Sequence, residues 1–263
     1  MNAKDTVRRA LENGLVVPAF NVPYPPMLKP IAQAVADEDS VAMIQVARLE
    51  WEKFEAVSLE RIAEEYAKYA VAGHTLLHLD HVPVIDEDHL EVDYIALIKR
   101  AIKAGYQSVM VDASRLDLAG NIAATRAVAD LAHAAGIPVE AELGAVMGHE
   151  TSQATIPYDE IFEKKLGFTE VADALAFVSG SGCDWLSVAV GSVHGAIADN
   201  LKDQKKPAAR LDIDRIAEIR QPYERALRER NDVEYARECV YVRMRELIRD
   251  FLHTAGDGQV IGE

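Results

Sequence analysis

Short apolar runs of strand length alternate with stretches of helical period along most of this chain, and that alternation admits few folds other than a parallel sheet wound by βα units. Strands are predicted at Val16–Phe20, Val41–Val46, Thr75–Leu79, Ser108–Val111, Pro138–Leu143 and Trp185–Val190. Helices are predicted at Lys4–Asn13, Met27–Asp37, Leu59–Ala72, Tyr94–Ala104, Asn121–Ala135, Val171–Val178 and Leu211–Arg220, several of them stopped by a glycine such as Gly14, Gly73, Gly105 or Gly136. A length of 263 residues with 49% apolar content suits one α/β domain over 1–263, and a TIM (β/α)8 barrel is the architecture expected. No seventh or eighth strand is found. From about residue 222 the chain reads instead as charged helices, Tyr223–Arg230 and Glu234–Leu252.

Composition removes several classes of function. A formal charge of -15 repels polyanions, so no nucleic-acid partner is expected. Cys183 and Cys239 have no Cys-x-x-Cys companion, which argues for a reducing compartment and against a thiolate metal site. No signal-peptide pattern and no apolar run near the ~20 residues needed to span a bilayer are found, so the expectation is a cytoplasmic protein with no membrane partner.

The polar residues carry more than the alternation. Leu76-Leu77-His78-Leu79 breaks into Asp80-His81, two groups able to handle protons or a metal at the end of a buried strand. Alone, such a pair is more often a satisfied core histidine beside a capping aspartate. It has company: Asn21, Asp112, Glu142 and His194 also fall at or just past the C-terminal ends of predicted strands, the barrel face that collects catalytic groups. His78 is expected to be a packed neighbour, His133 and His149 to lie on the surface or in loops, and the acidic stretch Val82–Glu91 to be an unstructured loop.

Pro18-Ala19-Phe20-Asn21, Leu77-His78-Leu79-Asp80-His81, Ser108-Val109-Met110-Val111-Asp112, Val139-Glu140-Ala141-Glu142-Leu143-Gly144 and Val188-Ala189-Val190-Gly191-Ser192-Val193-His194-Gly195, in this order, resemble the class II, metal-dependent ketose-bisphosphate aldolases. The resemblance runs from Val17 to about Arg220. It implies an aldehyde-lyase of carbohydrate metabolism that cleaves or forms a phosphorylated ketose from dihydroxyacetone phosphate and an aldehyde through a zinc-stabilised enediolate. It implies His81 and His194 as zinc ligands, Asp112 and Glu142 as carboxylates near the metal, and Asp80 as the acid/base. Glu150 is implied as a loop glutamate handling the carbon-bound proton, and Asn21, Ser192 and Gly195 as substrate or phosphate neighbours. Zn2+, with a monovalent cation beside it, a phosphorylated-sugar substrate and a homodimer or homotetramer follow from the same likeness. Arg115, where the family often has histidine, is placed to approach an anionic group or to stand exposed.

The chain departs from the family pattern after Arg220. A His-Gly-Gly-Ser-Gly-like turn, source of the third zinc histidine and of phosphate-binding amides, and an Asn-x-x-Thr-like motif are both missing from the sequence. Open edge strands beside a buried core are a hazard, so the expectation is a stretch left out between Gln221 and Pro222 rather than a shortened protein. The third zinc ligand is then the histidine of that stretch or, as the alternative, Glu142, which would make a His₂Glu set. Two other readings stay open: a catalytically inactive barrel serving as a binding or assembly scaffold, and another metal-dependent lyase on the same barrel.

Overall fold

The computed structural model describes residues 2–144, 157–192 and 210–220. Among them, six strands form one wholly parallel sheet in chain order: β1 Ala19–Asn21, β2 Ala42–Ala47, β3 Thr75–Pro83, β4 Ser108–Asp112, β5 Val139–Leu143 and β6 Trp185–Val188. Helices follow or separate them: α1 Ala3–Glu12, α2 Leu28–Asp37, α3 Arg48–Glu52, α4 Leu59–Tyr69, α5 Tyr94–Ala104, α6 Leu118–His133, α7 Tyr158–Lys164 and α8 Val171–Ser181, with a last helical segment at 213–220. The parallel α/β class is as expected. What is described is a curled six-strand half-barrel, not a closed eight-strand barrel.

Strand periodicity sorts the side chains into two faces. Ile44, Val46, Leu77, Leu79, Val109, Val111, Val139, Ala141 and Leu186 join α2, α4, α5, α6 and α8 in one buried cluster, each large side chain contributing about 1.5–3 kcal/mol of burial. The alternate residues face the other way. At the N-terminal ends of the strands Val41, Met43, Leu76 and Trp185 pack against Ala3, Ala10 and Val17, so α1 closes that end with apolar contacts. Further along, the same face turns polar: Gln45, His78, Asp80, Ser108, Glu140, Glu142 and Ser187 are all buried.

Several boundaries move for local reasons. α6 starts at Leu118 rather than Asn121, because Asp117 caps it by accepting from the Gly120 amide at 2.7 Å. β1 begins at Ala19 rather than Val16, and β6 ends at Val188 rather than Val190. The short helices α3 and α7 were not expected. The acidic stretch is ordered, correcting the unstructured loop expected there. Asp86 is 5% exposed, its Oδ1 accepts from the amides of Asp88 and Leu90 at 3.0 and 2.9 Å, and Arg48 lies 3.4 Å from its Oδ2. These bonds and the charge of Arg48 hold its carboxyl below the usual range although burial pushes it up.

Gln221 and Pro222, between which a left-out stretch is expected, lie outside the described residues. The helices expected from residue 222 lie outside the described residues. No helix among the described residues is long and apolar enough to cross a membrane.

Candidate metal and proton-transfer site

β3 does not stop at Leu79. It continues to Pro83 through an irregularity: Leu79 pairs with Val109, Val82 pairs with Val111, and Asp80 and His81 sit in the shifted register between them. His81 has φ +35°, a conformation costly for a non-glycine residue and found where surrounding structure enforces it. The consequence is chemical. In a regular strand adjacent side chains point to opposite faces, whereas here Asp80 and His81 both reach the polar face.

Asp80 is fully buried, and its Oδ2 accepts a hydrogen bond from Asn21 Nδ2 at 2.8 Å. The Asn21 Oδ1 in turn accepts from Gln45 Nε2 at 2.9 Å. β1 and β2 therefore orient the carboxylate offered by β3, and the other Asp80 oxygen lies 3.9 Å from His81 Nε2. On its opposite edge the His81 ring brings Nδ1 to 3.3 Å from Asp112 Oδ2 and 3.6 Å from Glu142 Oε2. Ligand atoms of His81, Asp112 and Glu142 all lie within 4.8 Å of one another. Burial pushes the Asp112 carboxyl up, but His81 and the Ser114 hydroxyl and amide, at 2.6 and 3.1 Å from Oδ1, hold it well below the ordinary carboxylate range.

A second polar layer supports the first. His78 Nδ1 lies 2.8 Å from Ser108 Oγ, its Nε2 lies 3.4 Å from Glu140 Oε2, and its ring centroid is 6.5 Å from that of Trp185. Asn121 on α6 donates to the Glu142 carbonyl at 2.9 Å and so pins the end of β5. Thr169 accepts from the Ala189 amide at 2.8 Å and donates to the Leu143 carbonyl, joining the ends of β5 and β6. Gly144 must leave room for it: a Cβ there would lie 2.6 Å from Thr169 Oγ1.

The structure thus brings Asn21, Asp80, His81, Asp112 and Glu142 together, places Ser192 half-buried just past β6, and makes His78 the packed neighbour expected. Glu150, His194, Gly195 and His149 lie outside the described residues. Arg115 is half-buried rather than fully exposed. His133 lies on the surface as expected, and its Nε2 also lies 2.7 Å from the buried Asp184. Sequence reading missed the supporting roles of Gln45, Ser114, Asn121 and Thr169. Gln45 had a signal, an amide inside an apolar strand; the others carried none without knowledge of register.

Chemically, the described contacts set three carboxylates, Asp80, Asp112 and Glu142, around one imidazole. Carboxylates gathered this closely favour a bound cation. One nitrogen and two carboxylate donors form a set that zinc accepts.

Residues 1–227 match a family model described as class II fructose-bisphosphate aldolase. A plasmid-encoded fructose-bisphosphate aldolase of Cupriavidus necator is 32% identical over 237 residues, covering 83% of this chain and 63% of the relative. The fructose-bisphosphate aldolase of Helicobacter pylori is 31% identical over 224 residues, 84% of this chain and 64% of the relative. Among the relatives compared, the chain spans between 55% and 64% of their length. A solved structure from Coccidioides immitis, described as a putative fructose-1,6-bisphosphate aldolase, superposes with a TM-score of 0.61 at 23% identity, covering 100% of this chain and 90% of that one. The YdjI aldolase of Escherichia coli K12 superposes at 0.60 and 20% identity, covering 100% and 92%. At those identities the two structures speak for the fold alone.

Proposed function

Because the chain belongs to the class II fructose-bisphosphate aldolase family, we propose that its site performs a metal-dependent aldol reaction, cleaving or forming a phosphorylated ketose from dihydroxyacetone phosphate and an aldehyde. The observation that carries the reading is the convergence of Asp80, His81, Asp112 and Glu142 at one place on the polar face of the sheet. His81, Glu142 and Asp112 would hold zinc, with His194 as a further ligand. When bound, zinc supplies Lewis-acid polarisation of the ketone and stabilises the negative charge that develops as the carbon–carbon bond breaks.

The protein's own groups handle the protons. Asp80 takes the proton from the hydroxyl that becomes the aldehyde oxygen and returns it in the synthetic direction. Its hydrogen bond from Asn21 to Oδ2 orients the carboxylate for that exchange. Glu150 exchanges the proton on carbon beside the ketone, and Asn21, Ser192 and Gly195 stand as substrate neighbours. Fructose 1,6-bisphosphate is the first substrate to try, given the names of the relatives. The same reading takes 1–263 as one domain of the (β/α)8 type, working in the cytoplasm as a homodimer or homotetramer, with a monovalent cation as a second cofactor.

The test is triose release from a panel of ketose bisphosphates, with and without chelator. The expected result is activity that chelation abolishes and zinc restores. Glu142→Ala should weaken zinc binding and lower turnover; unchanged affinity and activity would remove Glu142 from the ligand set. The alternative reading is a binding or assembly scaffold on the same fold. Absence of turnover together with absence of zinc binding would establish it over the enzyme.

A further inference from the structure

The chain leaves the end of β6 at Gly191-Ser192 and is next described at Arg210, and both ends of that excursion meet one phenol. Tyr158, the first residue of α7, donates from its hydroxyl toward the Gly191 carbonyl at 3.0 Å and the Arg210 carbonyl at 3.2 Å, and accepts from the Arg210 amide at 2.6 Å. A single hydroxyl thus satisfies backbone groups from two segments far apart in sequence. Backbone pairing closes the same neck a step further in, where the Asp212 amide donates to the Val190 carbonyl at 2.9 Å.

The surroundings are built for this meeting. Gly191 has φ +105°, and a Cβ there would lie 2.5 Å from the Arg210 carbonyl oxygen and 2.7 Å from the Phe162 ring. Only glycine lets the strands of the neck approach so closely. The Arg210 guanidinium lies 4.3 Å from the Phe162 ring centroid and donates to Asp159 at 2.9 Å. Two further ion pairs zip the returning chain to the α7–α8 region: Lys165 with Asp212 at 2.7 Å and Arg215 with Glu170 at 3.3 Å. Ile219, 2% exposed, anchors it in the main core.

We propose that Tyr158 is a positioning residue whose hydroxyl ties the exit of β6 at Gly191 to the chain's return at Arg210, and so sets the place of Ser192, the next residue out of the sheet. The inference rests on the aldolase reading for its catalytic consequence and on the described hydrogen bonds for its structural one. Tyr158 acts through the backbone it holds, not on substrate or metal.

Tyr158→Phe removes the hydroxyl and keeps the ring against Phe162, so the fold is retained. Two measurements on the full chain then decide the matter. Limited trypsin digestion after Arg210, whose amide and carbonyl the hydroxyl holds, should run about three- to tenfold faster in the variant, the fold-change that one hydrogen bond's net worth produces in a local opening equilibrium. Retro-aldol turnover should fall in kcat by about tenfold with KM moved less than about twofold, as expected when reacting groups are displaced while substrate binding is kept. An unchanged cleavage rate overturns the tie, whatever the kinetics do. Faster cleavage with parental kcat overturns the positioning role. If the parent chain turns over no substrate, the aldolase reading falls by itself, and the cleavage ratio alone decides whether the hydroxyl holds the neck.

Discussion

Asn21 shows how much a single amide can decide. It donates to Asp80 at 2.8 Å and accepts from Gln45 at 2.9 Å, so its removal takes one hydrogen bond from each of two buried side chains. Asn21→Ala should cost about 1–3 kcal/mol of stability and, under the aldolase reading, roughly tenfold or more in kcat, because the Asp80 carboxylate loses a bond that orients it. Urea denaturation and steady-state kinetics on the same sample separate the two effects. A second residue, His133, makes stability depend on pH. Its pKa is raised by the hydrogen bond and charge of Asp184, against a smaller lowering from burial. A raised pKa means the folded state binds the proton more tightly than the unfolded one. The contribution is therefore complete below the unfolded value near 6.5 and is lost as pH rises through the folded value. His133 is 40% exposed, so solvent screening keeps the effect within about 1 kcal/mol. His133→Gln should narrow the stability difference between pH 6 and pH 9; a difference as large as the parent's would show that another group is responsible.

Among the elements, β3 and the β5–β6 junction hold the site in shape. Gly144 has φ +102°, and a Cβ would meet Thr169 Oγ1 at 2.6 Å and Ala189 Cβ at 2.8 Å. Gly144→Ala therefore combines backbone strain with a clash at the Thr169 bridge, and should destabilise by about 2–4 kcal/mol, read as a lower urea midpoint at unchanged slope. The strand ends were legible in the sequence because a run such as Ser108–Val111 ends on a carboxylate, and the alternation of strand and helix gave the parallel order directly. The β3 irregularity was not legible. No glycine or proline marks it, and it exists because pairing with β4 slips between Leu79 and Val82, a property of two strands rather than of one. For the same reason Asp80 and His81 were recognisable as a pair, while their shared orientation was not. α7 escaped notice because its seven residues are too short to display a helical period, and the order of the Val82–Glu91 stretch because a buried aspartate satisfying loop amides looks, in sequence, like any exposed one.

At the scale of the molecule the question is why a chain of formal charge -15 also buries carboxylates on the inner face of its sheet. Self-repulsion at the surface and crowded carboxylates inside both disfavour the compact state, and a cation held by His81, Asp112 and Glu142 would relieve the interior part. Metal binding should then appear as stability, independently of any turnover. A ligand at 100 times its dissociation constant adds about 2.7 kcal/mol, which for a domain of this size corresponds to a rise of roughly 5–10 °C in the unfolding midpoint. Thermal unfolding of chelator-treated protein against zinc should show that rise. Glu142→Ala should diminish it at equal zinc concentration, while Glu12→Ala, on the exposed side of α1, should keep it in full. A midpoint indifferent to zinc across a wide concentration range would mean that the carboxylates are balanced within the protein, and that their convergence is a structural device rather than a metal site.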